Sequence, residues 1–380
     1  MRIVEVTHRY APALGGVEIQ VAGIARGLRK LGHSVDVVTT DVARDRPFAH
    51  VREASDLPAG AVHRYRAIRV VPAPHGLGIV APGMAIDLLR RPADVVHAHA
   101  FGMAPTWIAA GVRRLRRIPL VVETHFDPGR GTDGWKTYAR AVARGTLAPA
   151  DRVVAHTGLE AALLGSIGVA TERIVQIPNG IDLSEFPSLP RRPTTEATVT
   201  VLFVGRLDPQ QKGLDVLVRA LARISPGLGV RLRIVGEDWG AAASILRLAR
   251  ELRVEPAIVL TGPVTRAELL REYSNADVFV LPSQFESTPS VLREAMASGL
   301  PIVSTRVGGI PEVVREDEDA LLCGPGDPGE LAAPLERLAS DPGLRTRLGR
   351  NGRRNVDRFS WEQVIPQWSR LFDGIGASDR

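Results

Sequence analysis

The sequence predicts two consecutive α/β domains, each a doubly wound parallel sheet, and three observations carry that prediction. The chain has 380 residues, more than one typical domain holds. Short runs rich in Val and Ile alternate with helical patterns from end to end, as expected of parallel strands buried on both faces. The two halves also begin alike, each with a strand, a glycine-containing loop, an amphipathic helix and a second strand.

In the first half, strands are expected at Arg2–Val6, Ser34–Thr39, Asp94–His97, Leu120–Thr124, Arg152–Ala155 and Arg173–Ile177. The first helix carries Val21, Ile24, Ala25, Leu28 and Leu31 on one face, and Gly32 ends it. In the second half, strands are expected at Thr198–Val204, Arg231–Val235, Ala257–Leu260, Val278–Leu281 and Ile302–Ser304. There Leu214, Leu217, Val218, Leu221 and Ile224 form the matching helix face before Pro226. The polar, proline-rich segment Ser184–Glu196 reads as the joint. This gives domains over residues 1–187 and 195–357, with a tail over 358–380. That tail holds a helix near Trp361–Phe372 whose apolar face is Trp361, Val364, Ile365, Trp368 and Leu371.

Composition narrows the function classes. A single cysteine, Cys323, permits no intrachain disulfide and fits a reducing compartment. "MRIVEV" reads as a strand and not as a signal peptide, and no apolar run approaches the ~18 residues that span a bilayer, so a cytoplasmic protein is expected. The net charge of +6 lies entirely in the first half: residues 1–190 hold 23 Lys+Arg against 17 Asp+Glu, and residues 191–380 hold 25 against 25. Its densest cluster is "GVRRLRRIP", with Arg113, Arg114, Arg116 and Arg117. This reads either as a solvated helix end or as a patch that touches an anionic acceptor or an anionic membrane surface at the inner face. Nucleic acid is disfavoured, since aromatics are only 5% and are not interleaved with the basic residues.

Open parallel sheets bind ligands at the carboxyl ends of their strands, and two such sheets facing each other would make a cleft. The polar residues at those ends are therefore the candidates. Gly15-Gly16 follows the first strand; it is either a plain loop or a place where backbone approaches a ligand, with Glu18 one turn further on. His97 and His99 alternate in "DVVHAHA" and leave the strand on one face. A metal pair would need a further ligand that no spacing supplies, so they are read as structural or as lining the cleft, and no metal is expected. His125 ends "LVVETH", where a ligand can be met. Arg206 and Lys212 flank the turn in "FVGRLDPQQKGLDVLVRAL", and a guanidinium with an ammonium suits a diphosphate. Lys212 is one of only three lysines, beside Lys30 and Lys136.

"FESTPSVLREAMASGLPIVSTRVGGIPEVV" (285–314) supplies the acids. Thr288 is the expected N-cap, Pro289 the first helical residue, and Gly299 with Pro301 the stop. Glu286 then lies ahead of the helix and Glu294 on it, beside the N–H groups of Ser290, Val291 and Leu292. Taken alone, these could be two solvated acids. Combined with Arg206 and Lys212, they complement a sugar joined to a nucleotide through a diphosphate.

The ordered set Gly15-Gly16, "ETHFDP", "IPNGID", "FVGRLDPQQKG" and Glu286-x7-Glu294 resembles the family 4 retaining glycosyltransferases. The resemblance implies the GT-B fold, with two Rossmann-like domains facing across a cleft and a C-terminal helix crossing back to the first. It implies transfer of a hexosyl group from a nucleotide-diphosphate sugar, the co-substrate, to an acceptor hydroxyl, with retention, no cofactor and no metal. Arg206 and Lys212 would bind the diphosphate, Glu294 the ribose, and Glu286 with the backbone of Ser287, Thr288, Pro289, Ser290 and Val291 the sugar hydroxyls. His125 would lie near the transferred sugar. Gly16 would approach the phosphates, and Gly236 would belong to the donor pocket. Glu18 and His99 remain acceptor-side candidates. No protein nucleophile is nominated.

Two departures stand out. "IVGEDWG" carries Glu237-Asp238 where many members have a second glycine, and "ESTPS" lacks a glycine after the first glutamate. Asp317-Glu318-Asp319 reproduces an Asp-x-Asp metal pattern, but within an acidic run that reads as a solvated loop. Acceptor contacts are expected from the loops Arg44–Gly60 and Gly129–Trp135. The rival readings are a sugar-nucleotide epimerase or another GT-B enzyme, and a catalytically silent sugar-nucleotide-binding protein. A nicotinamide dehydrogenase is disfavoured by the missing G-x-G-x-x-G, and a glycosidase would not need Arg206 and Lys212.

Overall fold

Seven parallel strands form the first sheet of the computed structural model, which describes residues 1–12, 15–45, 48–51, 61–70, 78–125, 133–186 and 198–378. In chain order they are β1 (Arg2–Thr7), β2 (Ser34–Thr40), β3 (Val62–Tyr65), β4 (Val95–His99), β5 (Leu120–Glu123), β6 (Arg152–Ala155) and β7 (Ile174–Gln176). Their order across the sheet is β7-β6-β5-β4-β1-β2-β3. The second sheet holds β8 (Val199–Val204), β9 (Val230–Val235), β10 (Ile258–Gly262), β11 (Val278–Leu281), β12 (Ile302–Thr305) and β13 (Ala320–Cys323), ordered β10-β9-β8-β11-β12-β13. In both, the first strand is central and the order reverses beside it, which is the doubly wound topology. The central strands are continuous Val/Ile/Leu runs because helices cover both faces; β11 and β12 are buried throughout.

The chain divides into one unit of Met1–Gly180 with Trp361–Arg380 and another of Ile181–Ser360. Most of the expected joint, residues 187–196, lies outside the described residues. Leu183–Glu185 forms a single 3-10 turn before it.

Two sheet strands escaped the sequence reading. β3 is an edge strand with no fully buried residue, and β13 is a short edge strand after an acidic run. Two short antiparallel pairs, Val42–Asp45 with Phe48–His50 and Ile68–Arg69 with Ile79–Val80, were also not expected.

The terminal helix, Trp361–Ser378, belongs to the first unit and packs on the helix Gly16–Lys30. Val364, Ile365, Trp368, Phe372 and Ile375 are buried, whereas Trp361 and Leu371 are only partly covered. The close approach depends on two small residues. A Cβ added at Gly23 would stand 1.9 Å from the Trp361 ring, and one at Gly27 would stand 2.3 Å from Ile365.

Candidate functional site

In the second unit, loops following three neighbouring strands converge. The loop after β8 runs through Arg206 to Lys212 and Gly213, the loop after β11 carries Ser283 to Pro289, and the loop after β12 carries Val307 to Gly309. Gln284 donates its backbone N–H to Gln211 O at 2.7 Å, joining the first two. Gly309 donates to the carbonyls of Glu286 (3.2 Å) and Ser287 (3.1 Å), joining the last two. Gly308 makes that junction possible. Its φ is +54°, and a Cβ there would lie 1.6 Å from the Glu286 carbonyl oxygen.

Lys212 and Glu286 are both buried, and the Lys212 ammonium is ion-paired with Glu286 Oε1. Ser283 Oγ donates to the same oxygen at 2.7 Å. Ser287 Oγ is buried in the turn without a hydrogen-bond partner. The helix begins at Ser290, with Pro289 as its extended N-cap, one residue later than the sequence suggested. Its N-terminal N–H groups are not all open, because Leu292 donates to Pro289 O at 3.3 Å. The shift lies in Pro289 itself, whose ψ of 116° is extended and not helical.

Glu294 sits on that helix, nearly covered. Oε1 accepts from Arg266 Nη1 at 2.6 Å and Oε2 from the Tyr273 hydroxyl at 2.9 Å. Arg266 also holds Glu185. Burial, then the Glu294 charge, push the Tyr273 hydroxyl well above its ordinary value, so it remains a donor. Neither Arg266 nor Tyr273 was singled out from sequence, since each lies in an ordinary amphipathic helix.

Arg206 lays its guanidinium over the Trp239 indole, 4.3 Å from the ring centroid. Gly236 has φ +149°, and a Cβ there would lie 1.9 Å from Gly205 O, so the loop after β9 lies directly against the Arg206 backbone. The unusual Glu237-Asp238 now has a local role. Asp238 Oδ1 accepts from the backbone N–H groups of Gly240 (2.9 Å), Ala241 (2.9 Å) and Ala242 (3.1 Å). These bonds pull its carboxyl below the usual range and occupy the end of the helix Ala242–Glu251 with the protein's own anion.

In the first unit, the sheet register brings together charged residues that are far apart in sequence. Glu5 on β1 pairs with His97 on β4, and His99 pairs with Glu123 on β5. All four are essentially inaccessible, His99 included, which thus faces Glu5 and Glu123 and not solvent. Glu5 Oε2 lies 2.8 Å from His97 Nδ1 and 2.6 Å from His99 Nε2. Glu123 Oε2 lies 2.9 Å from His99 Nδ1. Glu123 Oε1 approaches His125 Nε2 (3.3 Å) and His156 Nε2 (3.2 Å), and His125 Nδ1 lies 3.1 Å from His156 Nε2. Burial opposes charge on Glu123, but His125, His99 and His156 together hold it ionised well below the carboxylate range. Burial also lowers His99, yet Glu123 and Glu5 outweigh it and raise His99 to about 9. His125, at φ +46°, is pushed by burial down to about 3 against the pull of Glu123 and stays neutral. Glu5, Glu123 and His156 were missed from sequence; a carboxylate inside the apolar runs "RIVEVT" and "LVVE" was the available signal.

The other predicted residues fall as follows. Helix Gly16–Lys30 begins at Gly16, where a Cβ would meet nothing within 4 Å. Glu18 is buried and paired with Arg9 at 2.8 Å. In the basic cluster, Arg113 is spent on Asp151 (2.8 Å) and Arg116 on the carbonyls of Leu88 and Arg91, while Arg114 and Arg117 are exposed beside Leu115. Asp319 corrects the reading of a solvated acidic loop. It is buried, accepting from Arg315 N (2.7 Å) and Asn355 Nδ2 (2.8 Å), while Asp317 and Glu318 are exposed. The residues of "ETHFDP" beyond His125, and most of the two proposed acceptor loops, lie outside the described residues.

Comparison with known proteins places this geometry. Residues 198–341 match the family profile of "Glycosyl transferases group 1", and residues 14–185 match "Glycosyltransferase Family 4". The chain is 31% identical to D-inositol 3-phosphate glycosyltransferase of Acidothermus cellulolyticus, over 92% of this chain and 84% of that one. It is 29% identical to glycogen synthase of Mycobacterium tuberculosis, over 98% and 94%. Among solved structures, sucrose-phosphate synthase from Thermosynechococcus elongatus superposes with a TM-score of 0.78 at 24% identity, over 99% of both chains. Anabaena HepE in complex with UDP-glucose superposes with a TM-score of 0.76 at 20% identity, over 98% of this chain and 100% of that one.

Proposed function

The chain belongs to glycosyltransferase family 4, with the GT-B fold, and on that premise we propose that it is a retaining, metal-independent hexosyltransferase. Its donor is a nucleoside-diphosphate sugar and its acceptor carries a hydroxyl. The observation that carries this reading is the buried Lys212–Glu286 pair, set where the loops after two adjacent central strands meet.

That pair suits both parts of a donor. An ammonium has three N–H donors, so Lys212 can keep Glu286 and still reach a diphosphate oxygen. Arg206 stacks one face on Trp239, and the planar fork of a guanidinium matches the same anion. Both side-chain contacts of Glu286 land on Oε1, which leaves Oε2 for a sugar hydroxyl beside the unpartnered Ser287 Oγ. Glu294 accepts one bond on each oxygen, and each oxygen has a second lone pair for a ribose hydroxyl. Gly16 offers room for phosphate to approach, and His125 is the candidate neighbour of the transferred sugar.

As the glycosidic bond breaks, negative charge grows on the leaving diphosphate. Preorganised Lys212 and Arg206 stabilise it there without a metal. Arg114 and Arg117 beside Leu115 are the candidate contact with an anionic lipid surface, which sedimentation with anionic vesicles tests.

The deciding assay incubates the protein with a panel of nucleotide sugars and acceptors and follows nucleoside diphosphate release, with the product anomer read by NMR. Release that depends on acceptor, unchanged by a chelator and abolished in Lys212→Ala, is expected. Wild-type turnover in Lys212→Ala, a strict Mg or Mn requirement, or an inverted product would overturn the proposal.

A further inference from the structure

We propose that Trp239 is a positioning residue for donor binding. Its indole holds the Arg206 guanidinium ready for the diphosphate, and Glu237 with Asp238 is its mount. The inference rests on the diphosphate role proposed for Arg206 and deepens it.

The two cations of the donor site differ in their surroundings. Lys212 is buried and held by Glu286. Arg206 is exposed, two residues past the end of β8. A long exposed side chain that must be immobilised when a ligand arrives weakens the binding it takes part in. A guanidinium already resting on an aromatic face has given up that freedom beforehand. Arg206 Cζ lies 4.3 Å from the centroid of the Trp239 ring, which is the geometry of such a rest.

The loop after β9 is built to keep the ring there. Leu207, the neighbour of Arg206, donates its N–H to Glu237 O at 2.8 Å and accepts from Trp239 N at 3.2 Å. With the bridge between Leu207 and Asp238, these bonds carry the β8–β9 pairing past the strand ends. The backbones of Arg206 and Trp239 are therefore tied to each other and not merely close. Glu237 Oε2 accepts from Trp239 Nε1 at 3.2 Å and restrains the ring. Asp238 Oδ1 gathers the N–H groups of Gly240, Ala241 and Ala242, and Gly240 takes φ +104°, so the turn that follows the indole is pinned as well. The residues that depart from the family pattern thus have a shared purpose.

Asp238 also sets what this loop does not do. Its carboxylate fills the start of the helix Ala242–Glu251, so a phosphate is repelled there. The diphosphate is left to side-chain cations, and the placement of Arg206 counts for more. The competing role for Trp239, whose residue is 40% exposed, is a direct stack on the donor's base.

A double-variant cycle on the full chain separates the two, read by isothermal titration calorimetry with UDP, GDP and ADP. Trp239→Ala should weaken binding of the diphosphates that the wild type takes by about 2–10-fold, the range set by releasing one long side chain. Its melting temperature should stay within about 2 °C of the wild type, since the ring is exposed. Trp239→Phe, which keeps an aromatic face, should recover most of the lost affinity. In an Arg206→Ala background, Trp239→Ala should add less than about 1.5-fold, because the residue it acts through is gone. Wild-type affinity in Trp239→Ala would overturn the role. So would an equal loss in both backgrounds, which would put the indole on the ligand itself. Wild-type affinity in Arg206→Ala alone, or no binding of any of the three diphosphates to the wild type, would instead refute the diphosphate reading and take the role of Trp239 with it.

Discussion

Lys212→Ala separates the structural from the chemical role of the buried pair. Both partners are under one-tenth exposed, and Glu286 keeps a single side-chain bond, from Ser283 Oγ at 2.7 Å, once the ammonium is gone. Stranding a fully buried charge costs about 3–5 kcal/mol. The surviving bond and the position at a strand end reduce this to about 2–3 kcal/mol. For a unit of this size each kcal/mol moves the melting temperature by about 2–4 °C, so the second unit should melt about 4–12 °C lower. Adding Glu286→Gln removes the stranded charge and should return the double variant to within about 1 kcal/mol of the wild type. Transfer should stay abolished in both variants, because the cation for the diphosphate has not been restored. Differential scanning calorimetry and a coupled assay for released nucleoside diphosphate read the two quantities separately. The reasoning fails if Lys212→Ala melts within 1 °C of the wild type, or if the double variant regains transfer.

Tyr273→Phe should weaken donor binding several-fold while retaining the fold, since Glu294 keeps Arg266 and loses one hydroxyl donor; titration of a nucleoside diphosphate by calorimetry reads it, and unchanged affinity would separate Glu294 from the ribose. Gly23→Ala should destabilise the first unit by about 1–3 kcal/mol, because its methyl meets the Trp361 ring at 1.9 Å; a melting temperature equal to wild type would show that the terminal helix gives way freely. Burial pushes the Cys323 thiol up to about 11, so the folded chain should not react with a disulfide reagent at pH 8 until it is unfolded. The folded state keeps this proton when the unfolded chain has lost it, so this group's contribution to stability should fall as pH rises from 9 to about 11.

The repeated domain plan was legible because it rests on local rules. Continuous apolar runs such as "VFVL" have only one comfortable place, inside a parallel sheet. The edges were not legible: β3 mixes polar and apolar residues and shows no buried face, so its identity comes from the pairing with β2. The donor candidates were legible in kind. Arg206, Lys212, Glu286 and Glu294 carry charge where strands end, and charge there needs a reason. Their partners were not, because Tyr273, Arg266 and Trp239 look like ordinary helix and loop residues until the chain is folded.

The same limit explains the histidine cluster, where the spacing of "HAH" was visible but the carboxylates that face it were not. Glu5 lies 92 residues before His97 in sequence and directly beside it in the sheet, through a register fixed by apolar neighbours on both strands. A carboxylate in the middle of "RIVEVT" breaks the pattern that makes the strand recognisable. Propensity treats it as noise, and desolvation makes it expensive. Such a residue survives only if the fold delivers compensating charge, and here the neighbouring strand delivers two imidazoles. A charged residue at the centre of an otherwise apolar parallel strand therefore predicts a partner on an adjacent strand, on the same face. In this chain Glu5 obeys that rule, and Glu123, the last residue of β5, also finds the histidines of β4.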